Sequence, residues 1–260
     1  MKALRCNELG GQEKLSIEDI PVPGLNTNEV LVGIKSASVN FPDVLMIQGL
    51  YQYQPPLPFT PGAEAAGIVE AIGSDVKNFK IGDKVFVMAG AGCFAEKIAV
   101  EEVRLHPIPS EMDFDVAAAL SMTYGTSIFA LKQRANIQAG ETLLVMGASG
   151  GVGLSAVELG KAYGAKVIAA VSSEEKASVC KEHGADETII YPADGLDRDQ
   201  QKEFSNTIKN LTNGLGANVV YDPIGGTYAE PAIRATAWDG RYLVIGFAAG
   251  EIPKPPHLLF

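Results

Sequence analysis

The 260-residue chain is short of basic charge: 21 Lys and Arg stand against 31 Asp and Glu, a formal net charge of −10. Its lysines and arginines are not gathered into a stripe that could neutralise a phosphate backbone, which excludes a nucleic-acid partner. Any anionic ligand must be held by a few local groups. No window offers the roughly 18 uninterrupted apolar residues of a membrane span, and the opening MKALRCNELGG has one early lysine but no apolar run of signal-peptide length. A soluble, cytoplasmic protein without a membrane partner is expected. Cysteine is scarce: Cys6, Cys93 and Cys180 are odd in number and far apart, so they form neither a disulfide framework nor a CxxC site. Three reduced thiols are expected. The histidines His106, His183 and His257 are scattered, and His183, just before Gly184, reads as a dipole partner at a helix C-terminus rather than a ligand.

What is present is the composition of a soluble globular protein, 47% hydrophobic and 20% charged, long enough for two domains. Up to residue 112 the apolar runs are short and β-like (KALRC, EVLVGIKSA, GIVEAIG, KVFVMA, FAEKIAV, VRLHPIP), broken by Gly and Pro. The Pro-rich QYQPPLPFTPG reads as an extended surface loop. From residue 113 the texture changes to an Ala-rich helical stretch, DFDVAAALSMTYGTSIFALKQRA. It then alternates strands (ETLLVMGA, KVIAAVS, ETIIY, NVVYDPI, GRYLVIGF) with helices beginning near Gly151, Ser173 and Gln200 and one more between Gly226 and Trp238. The α/β alternation over residues 113–260 predicts a doubly wound parallel sheet.

The strand ETLLVMGA runs through Gly147-Ala148-Ser149-Gly150-Gly151-Val152-Gly153 into LSAVELGKAYGA, the strand, glycine turn and helix of a dinucleotide-binding unit. Ala148 stands where the first glycine of G-x-G-x-x-G is usual. Gly150 would let backbone approach a pyrophosphate, Gly153 would let helix pack on strand, and the helix N-terminus would supply amides and a positive dipole end. At the end of the next strand, KVIAAVSSEEK, an NAD site carries an acid for the ribose 2′-hydroxyl; here Ser172 and Ser173 stand instead. Lys176 could pair with a 2′-phosphate and Tyr191 could add a hydroxyl, which favours NADPH. The opposing readings are a capping box of Ser172 with Glu175, a solvated Lys176, and repulsion from Glu174 and Glu175.

Beyond these residues the chain resembles the zeta-crystallin-like quinone oxidoreductases, in the quinone oxidoreductase-like branch of the medium-chain dehydrogenase/reductase superfamily. Asn40-Phe41-Pro42-Asp43, Gly49-Leu50-Tyr51, PLPFTPGAEAAGIV, LSMTYGTSIFAL, GASGGVG, VVYDPIGG and LVIGFAAG occur in that family's order. The resemblance implies a GroES-like β-domain (1–112) that carries the substrate, followed by an NADP-binding Rossmann domain (113–260), with a cleft between them and usually a homodimer. It places Asn40, Asp43 and Tyr51 at the nicotinamide end as the catalytic set, and Thr126 against the nicotinamide. It sets Ala148, Gly150, Gly151 and Val152 at the pyrophosphate, Ser172, Lys176 and Tyr191 at the 2′-phosphate, and Gly246 and Phe247 beneath the nicotinamide ribose. Asn40 also reads as the N-cap of a short helix with Asp43 in its first turn, a role compatible with the site.

Zinc alcohol dehydrogenases are the nearest sister activity, but their metal needs a Cys where this chain has Asn40 and a His before the glutamate where it has Ala63-Glu64. A structural four-cysteine zinc lobe is missing as well. No metal is expected. A quinone or enone is already electrophilic and accepts hydride from NADPH without a Lewis acid, leaving an oxyanion that water or Tyr51 can protonate. The residues leave open a quinone, an enone or an enoyl thioester as acceptor, and an NADPH-binding structural or sensing protein as the other class of reading. Five strands precede EIPKPPHLLF, where a Rossmann sheet has six. Pro255 to Phe260 read as an interrupted run, so the chain is expected to be truncated, less stable, weakly active, and without the sixth-strand dimer interface of its relatives.

Overall fold

The computed structural model describes residues 1–254; the run at 255–260 lies outside the described residues. Contacts divide the chain into two compact units, Met1–Met122 and a second that starts at Thr123.

In the first unit β1 (Lys2–Cys6) pairs antiparallel with β2 (Leu15–Asp19), bringing Leu4 opposite Ile17. β2 escaped the sequence reading because LSIED offers two apolar residues, Leu15 and Ile17, among polar ones and buries none fully. A second, five-stranded sheet holds β3 (Glu29–Ala37), β4 (Glu64–Ile72), β5 (Lys84–Met88), β6 (Lys97–Glu101) and β7 (Leu105–Pro107) in the order β6-β3-β4-β5-β7. Alternate residues point inward, so Val30 and Val32, Val85 and Val87, and Ile98 and Val100 meet in one core with Val69. The short helix α1 (Phe41–Ile47) follows β3, and α2 (Phe114–Ala118) sets Ala117 and Ala118 against Ala66 and Ile108.

The second unit begins in the Ala-rich stretch, which is not one regular helix. π-helical turns at Ser121–Gly125 and Phe129–Arg134 flank α3 (Thr126–Ile128). Two side-chain contacts tie this stretch to the segment after the glycine turn: the Ser155 hydroxyl donates to the Thr123 carbonyl at 3.2 Å and Ser127 donates to Val152 O at 3.1 Å. Next come β8 (Thr142–Met146), α4 (Gly151–Ala162), β9 (Lys166–Val171), α5 (Glu174–Glu182), β10 (Glu187–Ile190), α6 (Arg198–Leu211), β11 (Ala217–Asp222), α7 (Ala229–Arg234) and β12 (Thr236–Val244). The five strands are parallel, in the order β10-β9-β8-β11-β12. Both faces of this sheet are covered. Leu143, Val145, Val167 and Ala169 pack with Ala156 and Val157 of α4, whereas Leu144, Met146, Ile168 and Ala170 pack with Phe204 and Ile208 of α6. Two covered faces explain why the central strands β8, β9 and β11 read as continuous apolar runs, whereas β12 buries no residue fully. Strand order reverses between β8 and β11, and in such sheets ligands bind outside the carboxyl ends at that point.

Arg241 ties β12 to the start of β8. Its guanidinium grips Glu141 at 2.8 and 2.6 Å and donates to Ala135 O at 3.0 Å. The Arg241 hydrogen bonds hold the Glu141 carboxyl below its ordinary range. Arg241→Ala should cost about 2 kcal/mol at neutral pH, the worth of a charge-assisted pair. Because the folded carboxyl titrates lower than the unfolded one, that contribution is complete above the ordinary carboxylate range and fades as pH falls through the depressed value. Thermal melts of both proteins should therefore differ at pH 7 and converge in acid; a gap independent of pH would assign the loss to packing instead.

Candidate functional site

The cleft at the switch point has a volume of about 430 Å³ and is built wholly from the second unit. One wall is the glycine turn, with Gly147, Ser149 and Gly150; the end of β9 adds Val171, Ser172 and Lys176; Tyr191 and Ala193 follow β10. The facing wall is Ile224 and Tyr228 with Ala248 and Ala249.

The turn works because each glycine solves a different steric problem. Gly147 takes φ +56°, and a Cβ there would meet Ile224 Cδ1 at 2.5 Å. That placement of the left-handed residue explains why Ala148 can replace the usual glycine. The Ala148 side chain is fully buried and its amide bonds Ala170 O at 3.1 Å, so it faces the sheet rather than the cleft. At Gly153 a Cβ would lie 2.4 Å from Gly147 O, whereas at Gly150 the nearest atom is Gly147 O at 3.5 Å, which leaves open space above the turn. The Leu154 amide bonds Gly150 O at 2.7 Å, placing the amides of Gly151, Val152 and Gly153 ahead of that bond, at the positive end of α4. Backbone amides, a helix dipole and room for an anion fit a dinucleotide pyrophosphate.

At the end of β9, Lys176 Nζ reaches the Ser172 hydroxyl at 2.8 Å, both on the cleft lining. The helix cap is one residue later than the S-x-x-E pattern suggests: Ser173, not Ser172, accepts the Lys176 amide at 3.3 Å. The Ser172–Glu175 box is thereby corrected, because Ser172 is occupied by the lysine tip. Glu174 and Glu175 lie in the first turn of α5, exposed and off the cleft lining. Tyr191 lines the cleft but is only 6% exposed, its ring tilted by 51° against that of Tyr228 with centroids 4.8 Å apart. Burial, joined by nearby Tyr228, pushes its phenol up to about 12 against the pull of the Gly147 amide. Gly246 and Phe247 belong to the loop after β12, yet its cleft-lining residues are Ala248 and Ala249. Those two, with Ile224 and Tyr228, were missed in sequence, which carries no periodicity across loops. Thr126 opens α3 beside Ser127, whose hydroxyl meets both Ser155 and Tyr221 at 2.8 Å.

The first unit assembles a separate polar cluster. Asn40 precedes α1, and its amide donates to Asp43 Oδ2 at 2.8 Å, while its side chain turns away to Ser38 Oγ and Glu64 Oε1, both at 2.9 Å. Glu64, 1% exposed, also accepts Ser38 Oγ at 2.5 Å, Ser121 Oγ at 2.5 Å and the Met122 amide at 2.9 Å. Sequence reasoning did not single out this glutamate as a hub; its one signal is a charge inside the apolar run EAAGIV. Burial raises the Asp43 carboxyl, countered by the Asn40, Gly62 and Ala63 amides. Cys93 is pushed up to about 12 by burial and by the charges of Asp43 and Glu64, which makes it an unreactive thiol. Tyr51 packs on a small core of Cys6, Met46, Ile47 and Phe59. Among the described residues no group of three or more His, Cys, Asp and Glu is disposed to hold a metal.

A β-rich unit followed by a parallel sheet with a glycine-turn cleft defines a dinucleotide-dependent dehydrogenase or reductase. The comparisons agree in detail. The alcohol dehydrogenase GroES-like domain matches residues 26–110, and the zinc-binding dehydrogenase family matches residues 151–260. A quinone oxidoreductase-like protein 2 homolog of Nematostella vectensis is 40% identical over 98% of this chain and 68% of its own length. The quinone oxidoreductase of Escherichia coli, solved in complex with NADPH, matches with a TM-score of 0.88 and 30% identity over 98% of this chain and 76% of that one. A mycobacterial protein complexed with NADPH gives a TM-score of 0.91 at 31% identity, over 100% of this chain and 78% of that one. This chain belongs to the medium-chain dehydrogenase/reductase superfamily, among its quinone oxidoreductase-like members, and it is an oxidoreductase.

The two glycines separate fold from binding. Gly153→Ala should lose about 2 kcal/mol through overpacking and melt several degrees lower. Gly150→Ala should melt near wild type yet bind NADPH about tenfold more weakly, because its methyl enters the space above the turn. Equal melting points for the two variants would contradict the packing described.

Proposed function

We propose that this chain is a zinc-independent, NADPH-dependent oxidoreductase whose acceptor is a quinone or a similarly activated carbonyl compound. The observation that carries the cofactor choice is the Lys176–Ser172 contact at the end of β9, a cation and a hydroxyl where an NAD site has an acid. The cofactor supplies a hydride, and the acceptor takes it with one proton, so a quinone leaves as hydroquinone. Gly150, Gly151, Val152 and Gly153 hold the pyrophosphate by backbone approach, with Ala148 supporting the turn from the sheet side. Ser172 and Lys176 grip the 2′-phosphate, and Tyr191 is the wall beside it. Thr126, Gly246 and Phe247 serve the nicotinamide end. The first unit contributes Asn40, Asp43 and Tyr51 as the catalytic set.

Within that set the chain's task is orientation. Asn40 presents an amide whose hydrogens are directed at Ser38 and Glu64, so the residue that replaces a metal-ligating cysteine is held as a hydrogen-bonding group. Both oxygens of Glu64 are engaged by hydroxyl and amide donors, which occupies the lone pairs a cation would need. Positioning of an already electrophilic acceptor then replaces Lewis-acid activation. The Tyr51 hydroxyl, or water, provides the proton that completes the reduction.

Steady-state oxidation of NADPH over a panel of quinones, enones and enoyl thioesters tests the reading: turnover is expected with quinones, and preference for another class would reassign the acceptor. Lys176→Ala should weaken NADPH binding roughly ten- to a hundredfold, the worth of a charge-assisted hydrogen bond, and leave NADH nearly unchanged. Equal loss for both nucleotides would make the lysine structural. Prolonged EDTA treatment should leave the rate intact; stoichiometric zinc lost together with activity would overturn the metal-free part.

A further inference from the structure

We infer that Asp222 and Tyr242 are positioning residues that lock the Ile224–Ala249 wall of the nucleotide cleft against the glycine turn. The inference rests on the cofactor reading above and deepens it, since neither residue lines the cleft.

Asp222 ends β11 and is 2% exposed. One carboxylate oxygen, Oδ1, accepts the Ile224 amide at 2.8 Å and the Gly225 amide at 3.0 Å, folding the chain back immediately after the strand. The other, Oδ2, accepts the Tyr242 hydroxyl. Tyr242 stands on β12 opposite Val220, so two adjacent strands meet at one carboxylate. Their loops are then stitched together through the backbone: Ile245 N–H to Asp222 O at 2.9 Å, Ala248 N–H to Pro223 O at 3.0 Å, and Ala249 N–H to Ile224 O at 2.9 Å. Close approach demands glycine at 225, where φ is +69° and a Cβ would meet Phe247 Cδ1 at 2.9 Å.

The lock reaches the cleft through Ile224. A Cβ at Gly147 would strike its Cδ1 at 2.5 Å, so the position of Ile224 fixes how closely the wall meets the turn. Asp222 is the group that sets Ile224, through its amide. Burial and the Asp222 charge push the Tyr242 phenol strongly upward, keeping it a donor at every working pH. All three donors to this carboxylate are neutral, and a buried oxygen that lost its donor would draw the loop toward solvent or toward another partner.

The test uses the whole chain. Tyr242→Phe keeps the ring and removes one donor, whereas Asp222→Asn keeps the acceptor for both loop amides. Amide hydrogen exchange is followed without nucleotide at residues 222–226 and 245–249, and NADPH affinity is then measured by fluorescence. Tyr242→Phe should exchange faster in both loops, bind NADPH about tenfold more weakly and raise KM more than it lowers kcat. Asp222→Asn should lose less than Asp222→Ala; if the alanine variant does not fold, the other two variants carry the comparison. Unchanged exchange in Tyr242→Phe would overturn the lock, and faster exchange with unchanged NADPH affinity would overturn its role in binding. Wild-type chain that fails to bind NADPH would sink the cofactor reading instead, and the nucleotide-free exchange distinguishes that failure from failure of the lock.

Discussion

Everything at the nucleotide cleft depends on how closely α4 approaches the end of β8. A Cβ at position 153 would stand 2.4 Å from the Gly147 carbonyl and 2.8 Å from Ala148 Cα, so helix and strand are in backbone contact there. That contact fixes the direction in which the first-turn amides point. It also forces the chain to reverse within Gly147–Gly150, and the reversal is possible because Gly147 takes the left-handed conformation. The glycines are thus not interchangeable: one turns the chain, one clears a space and one permits the packing. Gly151 joins them for a further reason, since a Cβ there would press Thr123 Cγ2 at 3.0 Å.

The sheet was legible because its central strands β8, β9 and β11 are buried on both faces and leave apolar runs that periodicity and length distinguish from helix. All five parallel strands and the α4, α5 and α6 starts fall within a few residues of where the pattern sets them. The glycine turn was legible for the same reason that it works, namely that few residues other than glycine can occupy it. Local chemistry was read less well. Ser172-Ser173-Glu174-Glu175 offers two overlapping capping frames, and a lysine tip bonding Ser172 decides between them, a tertiary fact that no single-residue rule contains. The Ala-rich stretch reads as regular helix on propensity, yet it contains two π-helical turns that propensity does not distinguish from α-helix.

The buried acids were harder to read, because their partners are distant in sequence. Glu64 gathers Ser38, Asn40, Ser121 and Met122 across 84 positions of sequence, from residue 38 to residue 122. Asp222 and Tyr242 belong to strands whose partnership exists only once the sheet has formed. What could have been noticed is their incongruity, an acid in the apolar run EAAGIV and another ending NVVYD. A buried carboxylate must be hydrogen-bonded, so each such acid announces an organised cluster even when its partners cannot be named.

The donors to these carboxylates also bear on how an acidic protein selects an anionic cofactor. Glu64 and Asp222 are held by amides and hydroxyls rather than by ammonium or guanidinium groups. Neutral donors fix geometry without introducing positive charge; among the described residues of the cleft lining, Lys176 carries the positive charge. With a net charge of −10, the long-range field opposes an approaching phosphate. At physiological salt that field is screened within about 8 Å, so in the cofactor reading proposed above the helix-terminal amides and the lysine would act at contact distance. The proposed cofactor binding therefore relies on short-range hydrogen bonds rather than on net charge, and the glycine turn sets the direction of the amides it uses.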